Sequence, residues 1–232
     1  MALPKLDTPV YDLELPSTGK SIKFRPFLVK EQKILMMAEE SKDENEVYNA
    51  MKQIITLCTF DDLDVENAPI FDVEYAFIKI RSKSVGETID FRVICPDDNE
   101  TYGETTVKLD EVEVQVEDEH TNIIEISDTI KIIMRYPTIA NAKNFTGSTN
   151  DVFDILKNCI HEIHHDETIY HRIDITDKDI EEFIEGFTVD QFKKVTDFFE
   201  TMPKLRHFVE VVNPKTKVKS EVLIEGLESF LA

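Results

Sequence analysis

The chain has 232 residues, of which 41% are hydrophobic and 31% charged, and its formal net charge is −21. This composition is typical of a folded globular protein and excludes wholesale disorder. So strong a negative charge repels DNA, RNA and anionic membranes, which makes nucleic acid and membrane poor partners. No apolar run is long enough to span a bilayer and no signal peptide opens the chain, which predicts a cytoplasmic protein. The three cysteines are widely separated, which indicates free thiols.

Acidic residues are concentrated in the middle of the chain. From Asp97 to Asp128 there are twelve acidic residues and one basic residue, Lys108. Because surface charge usually serves solubility, the simpler interpretation is a solvated acidic face. The alternative is a docking face for a basic partner.

The first predicted segment, residues 1–86, contains a hairpin and three helices. Alternating apolar residues indicate the strands, and helical periodicity follows after Pro26. The spacing of apolar residues in the second helix places Cys58 in the core rather than in a ligand set. The strands are Val10–Leu15 and Ser21–Phe24; the helices are Val29–Glu40, one that ends near Cys58, and one after Pro69.

The second predicted segment, residues 87–136, is an acidic β module. Apolar and polar residues alternate along it, which is the pattern of half-buried strands. The strands are predicted from Glu87 to Cys95, around Val107 and Leu109, over Val112–Val116, and at Asn122–Ile126 and Thr129–Arg135.

The third predicted segment, residues 137–232, is a helical module that ends in a hairpin and a short helix. Capping-box character at Thr176–Asp179 and Thr188–Gln191 predicts two helix starts, after a first helix from Asp151 to about Cys159. The hairpin strands are Leu205–Val212 and Val218–Ile224. A phenylalanine group is assigned to the core, with partner binding as the alternative: Phe183, Phe187, Phe192, Phe198 and Phe199. The predicted fold class is α+β, with helical groups alternating with antiparallel β-hairpins.

Two of these hairpins have proline-containing tips that look like ribbon knuckles. The tips are Cys95-Pro96-Asp97-Asp98 and Asn213-Pro214-Lys215-Thr216. A zinc ribbon needs four soft ligands, usually from two Cys-x-x-Cys pairs, and these tips supply one cysteine. We therefore predict degenerate, metal-free knuckles that are held by proline and Asx turn chemistry.

A histidine cluster is the one group that suggests catalysis. It comprises Cys159, His161, Glu162, His164, His165, Asp166 and His171. The zinc peptidase motif is H-E-x-x-H, whereas His161–His165 reads H-E-x-H-H, so the spacing is wrong by one residue. We interpret the segment as an exposed loop. The alternative is a metal-binding protein or metal-dependent hydrolase that uses His161, His164, His165 and His171. Because no phosphate loop or nucleophile elbow is present either, the chain is predicted not to be an enzyme, with no cofactor.

Four strings in fixed order carry a resemblance to a known family. They are Leu15-Pro16-Ser17-Thr18-Gly19-Lys20, Lys23-Phe24-Arg25-Pro26-Phe27-Leu28-Val29-Lys30-Glu31, Arg81-Ser82-Lys83-Ser84-Val85-Gly86-Glu87 and Phe198-Phe199-Glu200-Thr201-Met202-Pro203-Lys204-Leu205. Together they resemble the baseplate proteins of T-even-type contractile-tailed bacteriophages, the hub subunits and hub assembly factors, over nearly the whole chain.

The resemblance implies a non-catalytic protein that helps to build the central baseplate hub. Its implied partners are other hub, spike or tape-measure proteins, and its implied location is the cytoplasm of the infected bacterium during assembly. Whether it stays in the virion is left open. Relatives often have Cys-Pro-x-Cys at the knuckles, and the departure of both tips from that pattern argues against zinc binding here.

A basic and aromatic segment is the candidate partner-binding site: Lys23, Phe24, Arg25, Pro26 and Phe27. Arginine and aromatic side chains dominate interface hot spots, and proline constrains the backbone between them. The alternative is that Phe24 and Phe27 fasten the first hairpin to the helices.

Overall fold

The structure is a computed structural model that describes residues 6–84, 86–142 and 149–230. In chain order its helices are α1 (Val29–Ser41), α2 (Glu44–Cys58), α3 (Ile70–Ser82), α4 (Ile139–Ala142), α5 (Thr149–Cys159), α6 (Asp177–Glu185) and α7 (Val189–Thr201). Its strands are β1 (Tyr11–Glu14), β2 (Ser21–Phe24), β3 (Thr88–Ile94), β4 (Tyr102–Lys108), β5 (Glu113–Gln115), β6 (Ile123–Glu125), β7 (Ile130–Met134), β8 (Ile160–His165), β9 (Thr168–His171), β10 (Lys204–Val212) and β11 (Lys219–Glu225). Short 3-10 turns cover 109–111, 172–174 and 227–230. The α+β fold class is confirmed.

The chain divides into two compact units. The first contains residues 1–115 together with 204–232, and the second contains residues 116–203. These bounds differ from the segments 1–86, 87–136 and 137–232, and that three-part organisation stays a prediction.

The first unit begins with the predicted hairpin and three helices. Strands β1 and β2 pair antiparallel, and Gly19 adopts φ +66° in the turn between them, a conformation that glycine accepts without strain. Helix α2 buries Ala50, Ile54 and Ile55 at helical spacing, and Cys58 at its end is fully buried. The prediction that Cys58 belongs to the core is confirmed.

Two antiparallel arrangements complete the first unit. Strands β3 and β4 form one hairpin. Strand β10 pairs with β11 on one side and with the short β5 on the other, so the sheet order is β11-β10-β5. Leu205 lies opposite Val114 in this sheet, which joins residues that are 91 positions apart. Such distant pairing is not visible in local periodicity.

The second unit packs helices against a four-stranded antiparallel sheet of order β6-β7-β8-β9. Ile132 and Ile163 contribute buried side chains from the sheet, and Leu156, Ile184 and Phe198 contribute them from the helices. Phe198 is buried, and the other four members of the phenylalanine group pack partly buried against this core. Their assignment to the core is confirmed.

Helices α6 and α7 begin where their caps predict. Thr176 accepts a hydrogen bond from the Asp179 N–H at 3.2 Å. Thr188 and Gln191 form a reciprocal capping box, with 3.2 Å from the Gln191 N–H to the Thr188 hydroxyl and 2.9 Å for the return bond. Each cap satisfies N–H groups that the first helical turn leaves unpaired.

The prediction that the histidine segment forms an exposed loop is wrong. Residues 160–165 form β8, which lies between β7 and β9, and residues 168–171 form the outer strand β9. Ile160 and Ile163 are buried, although they stand three positions apart rather than two. A register shift opposite Ile133 and Met134 adds the extra residue, which is the effect of a β-bulge. The bulge therefore hid the strand from a search for strict alternation.

Candidate functional site

The candidate partner-binding segment, Lys23–Phe27, is largely buried in the first unit. Phe24 and Phe27 are buried, with 3% and 8% of their surface exposed. The Phe27 N–H donates to the Ser84 hydroxyl at 2.9 Å, and the Arg25 N–H donates to the Cys58 carbonyl at 2.9 Å. Lys23 alone points an exposed charged group outward, paired with Asp12 at 3.0 Å. Partner binding by this segment stays a prediction.

Arg25 takes part in a buried ion pair at the start of helix α1. Its guanidinium donates to the Glu31 carboxylate at 2.9 Å, and the Leu28 N–H donates to the other oxygen of that carboxylate at 2.8 Å. Burial opposes ionisation of Glu31, but these hydrogen bonds outweigh burial and hold its pKa below the usual value. The pair thereby fixes the first hairpin to the helices.

The histidine cluster surrounds one carboxylate. Glu162 accepts a hydrogen bond from His164 Nε2 at 2.8 Å and from His171 Nδ1 at 3.1 Å, and His161 Nε2 lies 3.8 Å away. The register explains this convergence because His171 lies directly opposite Glu162 on β9. The bond from His164 is the largest effect that holds the pKa of Glu162 below its usual value. His165 lies instead beside Asp166, at 3.6 Å.

This arrangement is a hydrogen-bond network around Glu162. Across residues 6–84, 86–142 and 149–230, no group of three or more His, Cys, Asp or Glu side chains is placed to hold a metal ion. The Cys159 thiol lies in the core, where burial raises its pKa to about 12, and burial likewise raises the pKa of Cys58 to about 11. Both thiols are therefore protonated at neutral pH and are weak nucleophiles.

A shallow pocket between β1 and α3 is lined in part by polar groups that form hydrogen bonds and ion pairs with their neighbours. Lys79 donates to the carbonyls of Asp110 and Val112 at 2.8 and 3.0 Å and pairs with Glu113 at 2.9 Å. Lys83 pairs with Asp110 at 2.7 Å. The lysines therefore join α3 to the turn before β5, which is a stabilising role.

The two proline-containing hairpin tips lie against each other in the first unit. The Asn213 amide donates to both oxygens of Asp97, at 2.9 and 3.1 Å, and the Thr216 hydroxyl donates to Asp97 at 2.5 Å. These bonds cross 116 and 119 residues of sequence. We call this contact between Asp97, Asn213 and Thr216 the tip clasp.

Each tip is also braced internally. Asp98 accepts from the N–H groups of Glu100 and Thr101 at 3.0 and 2.9 Å, and Asn213 Oδ1 accepts from the Lys215 N–H at 2.8 Å. Hydrogen bonds from Thr216 and then Asn213 lower the pKa of Asp97, and those from Thr101 lower the pKa of Asp98. Both carboxylates are therefore ionised acceptors, and Asp97 links the tips.

Gly103 lets the hairpins approach closely behind the clasp. A Cβ at this position would stand 2.2 Å from Val211 Cγ2, 3.1 Å from the Cys95 sulfur and 3.2 Å from the Val212 carbonyl oxygen. Cys95 and Val211 are both buried there. The sequence located both tips, but it missed their contact and the role of Gly103. A glycine within a strand was the available signal, since it often marks a close approach of backbones.

A second feature that the sequence missed is His120 in the second unit. Its ring stacks on Tyr136 at 5.7 Å between centroids and lies 5.2 Å from Phe198. The ring nitrogens lie 3.0 Å from the Thr201 hydroxyl and 3.1 Å from the Tyr136 hydroxyl. Burial lowers the pKa of His120, so the folded unit favours the neutral ring.

Acidification should therefore destabilise the second unit through His120. Because the folded pKa lies below the unfolded value of about 6.5, the unfolded chain gains a proton first as the pH falls. Stability from the neutral ring should be present above about pH 6.5 and decline below it. Unfolding in denaturant at pH 7.5 and 5.5 measures this loss when hydrogen exchange in residues 116–203 is used to monitor the second unit.

His120→Gln is the matched variant because it cannot take up the proton. Its free energy of unfolding should fall less between the two pH values than that of the wild type. Subtracting one loss from the other removes the contribution of the other histidines. An equal loss in both proteins would contradict this role of His120.

The described polar clusters stabilise the fold, as expected of a structural protein. Within the described ranges, no helix has the length and hydropathy needed to cross a membrane. A family model described as T4 bacteriophage base plate protein matches residues 8–232. The chain therefore belongs to the T4-type phage baseplate protein family. Neither the curated proteins nor the solved structures gave a significant match.

Proposed function

We propose that this chain is a non-enzymatic component of the baseplate hub, or an assembly factor for it, that acts through protein–protein contacts. The family match over residues 8–232 is the observation that carries the proposal, since baseplate proteins are structural parts of the phage tail. Assembly would take place in the cytoplasm of the infected bacterium, with other hub, spike or tape-measure proteins as partners.

The chemistry of the side-chain clusters supports a role in binding rather than catalysis. The Arg25 to Glu31 pair, the tip clasp and the Glu162 network each use their polar groups in bonds within the chain. The Cys58 and Cys159 thiols are kept protonated by burial. The net charge of −21 disfavours nucleic acid and favours partners with basic surfaces.

Co-expression with the hub, spike and tape-measure proteins of the same phage tests this proposal. Size-exclusion chromatography followed by mass spectrometry should show stable co-elution with at least one of them. An unrelated protein of similar acidity, expressed with the same set, controls for nonspecific electrostatic binding. Failure to co-elute with any of these proteins, together with stoichiometric zinc on the purified chain, would contradict the proposal and favour the histidine alternative.

A further inference from the structure

The outer strand of the three-stranded sheet has an open edge. Strand β11 covers seven residues, Lys219–Glu225, and pairs with β10 on one side. No other strand of the described residues pairs with its outer side. It contains no proline, and its outward N–H and C=O groups can pair with another chain. Its three charged residues, Lys219, Glu221 and Glu225, would oppose most strand partners and restrict pairing to a strand of complementary charge.

The outward face beside this edge is apolar and electrically balanced. Phe208 lies directly opposite Leu223, and their exposed fractions are 49% and 43%. Two pairs lie around them, Lys219 to Glu210 at 2.7 Å and Arg206 to Glu225 at 2.6 Å, whereas Glu221 lies directly opposite Glu210. Lys204, 3.5 Å from Glu225, adds a third basic group, so β10 and β11 carry three basic and three acidic side chains on this face. On a chain of net charge −21, a face with equal numbers of basic and acidic groups and exposed apolar side chains favours association.

The sequence of β11 is complementary to itself in one antiparallel register. A two-fold axis perpendicular to the sheet requires the axis to pass at one residue, since opposed side chains must share a face. An axis at Val222 places Lys219 opposite Glu225 of the second copy, twice, and pairs all seven residues. Axes at Glu221 or Leu223 would instead place glutamates opposite each other, which is unfavourable.

We propose that β11 pairs with β11 of a second copy about a two-fold axis at Val222, so that two three-stranded sheets join into one. Val222 then faces its own copy, and the exposed Leu223 side chains lie diagonally across the axis. Backbone bonds supply the association, and the Lys219 to Glu225 pairs set the register.

Leu223→Glu tests the edge in the full-length chain. Two glutamates would then lie opposite each other on each side of the axis, and the dimer should weaken by roughly tenfold or more. Ile123→Glu is the matched control, because Ile123 is 46% exposed on β6, an outer strand of the other sheet. Light scattering across a concentration series should show the wild type and Ile123→Glu dimerising over the same concentrations, and Leu223→Glu dimerising only at concentrations at least about tenfold higher.

Cysteine cross-linking tests the register independently of stability. Val222→Cys should oxidise readily to a disulfide-linked dimer, since opposed residues lie within the distance that a disulfide spans. Ser220→Cys should not, because its copy would lie about 13 Å away along the strands. The native cysteines are free and buried, so background cross-linking should be low.

Three results would overturn the proposal. They are a wild type that stays monomeric at every concentration, equal weakening by Leu223→Glu and Ile123→Glu, and equal cross-linking at positions 220 and 222. The wild type would also stay monomeric if β11 pairs with a strand of another protein instead of with its own copy. None of them bears on hub co-elution, so this proposal and the proposed function can fail separately.

Discussion

Replacing Gly103 with alanine should lower the free energy of unfolding of the first unit by about 1–3 kcal/mol, the usual cost of overpacking a core. The added methyl group would stand 2.2 Å from Val211 Cγ2. Val211 is buried and its branched side chain has few rotamers, and the second contact is to the Val212 backbone, so neither gives way at low cost. The hairpins should therefore separate and weaken the bonds from Asn213 and Thr216 to Asp97.

Reactivity of Cys95 provides a local measure of this separation. Its sulfur lies 3.1 Å from the added methyl group and is fully buried in the wild type. Gly103→Ala should speed labelling of Cys95 by a thiol reagent, read by mass spectrometry, without speeding labelling of Cys159. Gly186→Ala is the matched control, because Gly186 has φ −75° and an added Cβ would come no closer than 3.3 Å to another residue. Unchanged stability and unchanged Cys95 labelling in Gly103→Ala would show that the close approach is wrong.

Replacing Arg25 with alanine should cost about 3 kcal/mol, because it leaves the Glu31 carboxylate buried without its main partner. The side chain of Glu31 is fully buried, and Lys30, at 3.3 Å, is itself largely exposed. The double variant Arg25→Ala with Glu31→Ala should be less destabilised than the sum of the single variants, since it removes both charges. Chemical denaturation of the four proteins measures the coupling. Additive losses would contradict a direct pair.

Lys23 provides the comparison for the same segment. Its pair with Asp12 is exposed, at 64% and 70%, so Lys23→Ala should change stability by less than about 1 kcal/mol. A folded Lys23→Glu variant also tests the docking prediction without disturbing Arg25. If this variant no longer co-elutes with hub proteins, partner binding by the segment is supported. Normal co-elution would restrict Lys23–Phe27 to its role inside the fold.

Local chemistry made part of the fold predictable. The Thr188 to Gln191 capping box and the apolar spacing before Cys58 each depend on residues within a few positions, and both are confirmed. The bulge that shifts the register at Ile133 and Met134 breaks the alternation on which strand prediction relies, so the histidine strands were missed.

Long-range contacts account for the other omissions. Asp97 and Asn213 each looked like ordinary turn residues, and their bond became visible only when two hairpins 116 residues apart were brought together. Arg25 and Glu31 are near in sequence, but the burial of their ion pair depends on the packing of the first hairpin on the helices. Local sequence does not show that packing. A basic and aromatic string has the same appearance in a sequence whether it faces a partner or its own core.

The most direct test of the proposed hub role is complementation during infection. A phage that lacks this chain should accumulate hub and spike proteins that are not built into baseplates, as seen by electron microscopy and mass spectrometry of lysates. Wild-type protein supplied from a plasmid should restore complete baseplates. Complete baseplates that contain a normal hub in the absence of this chain would contradict the proposal.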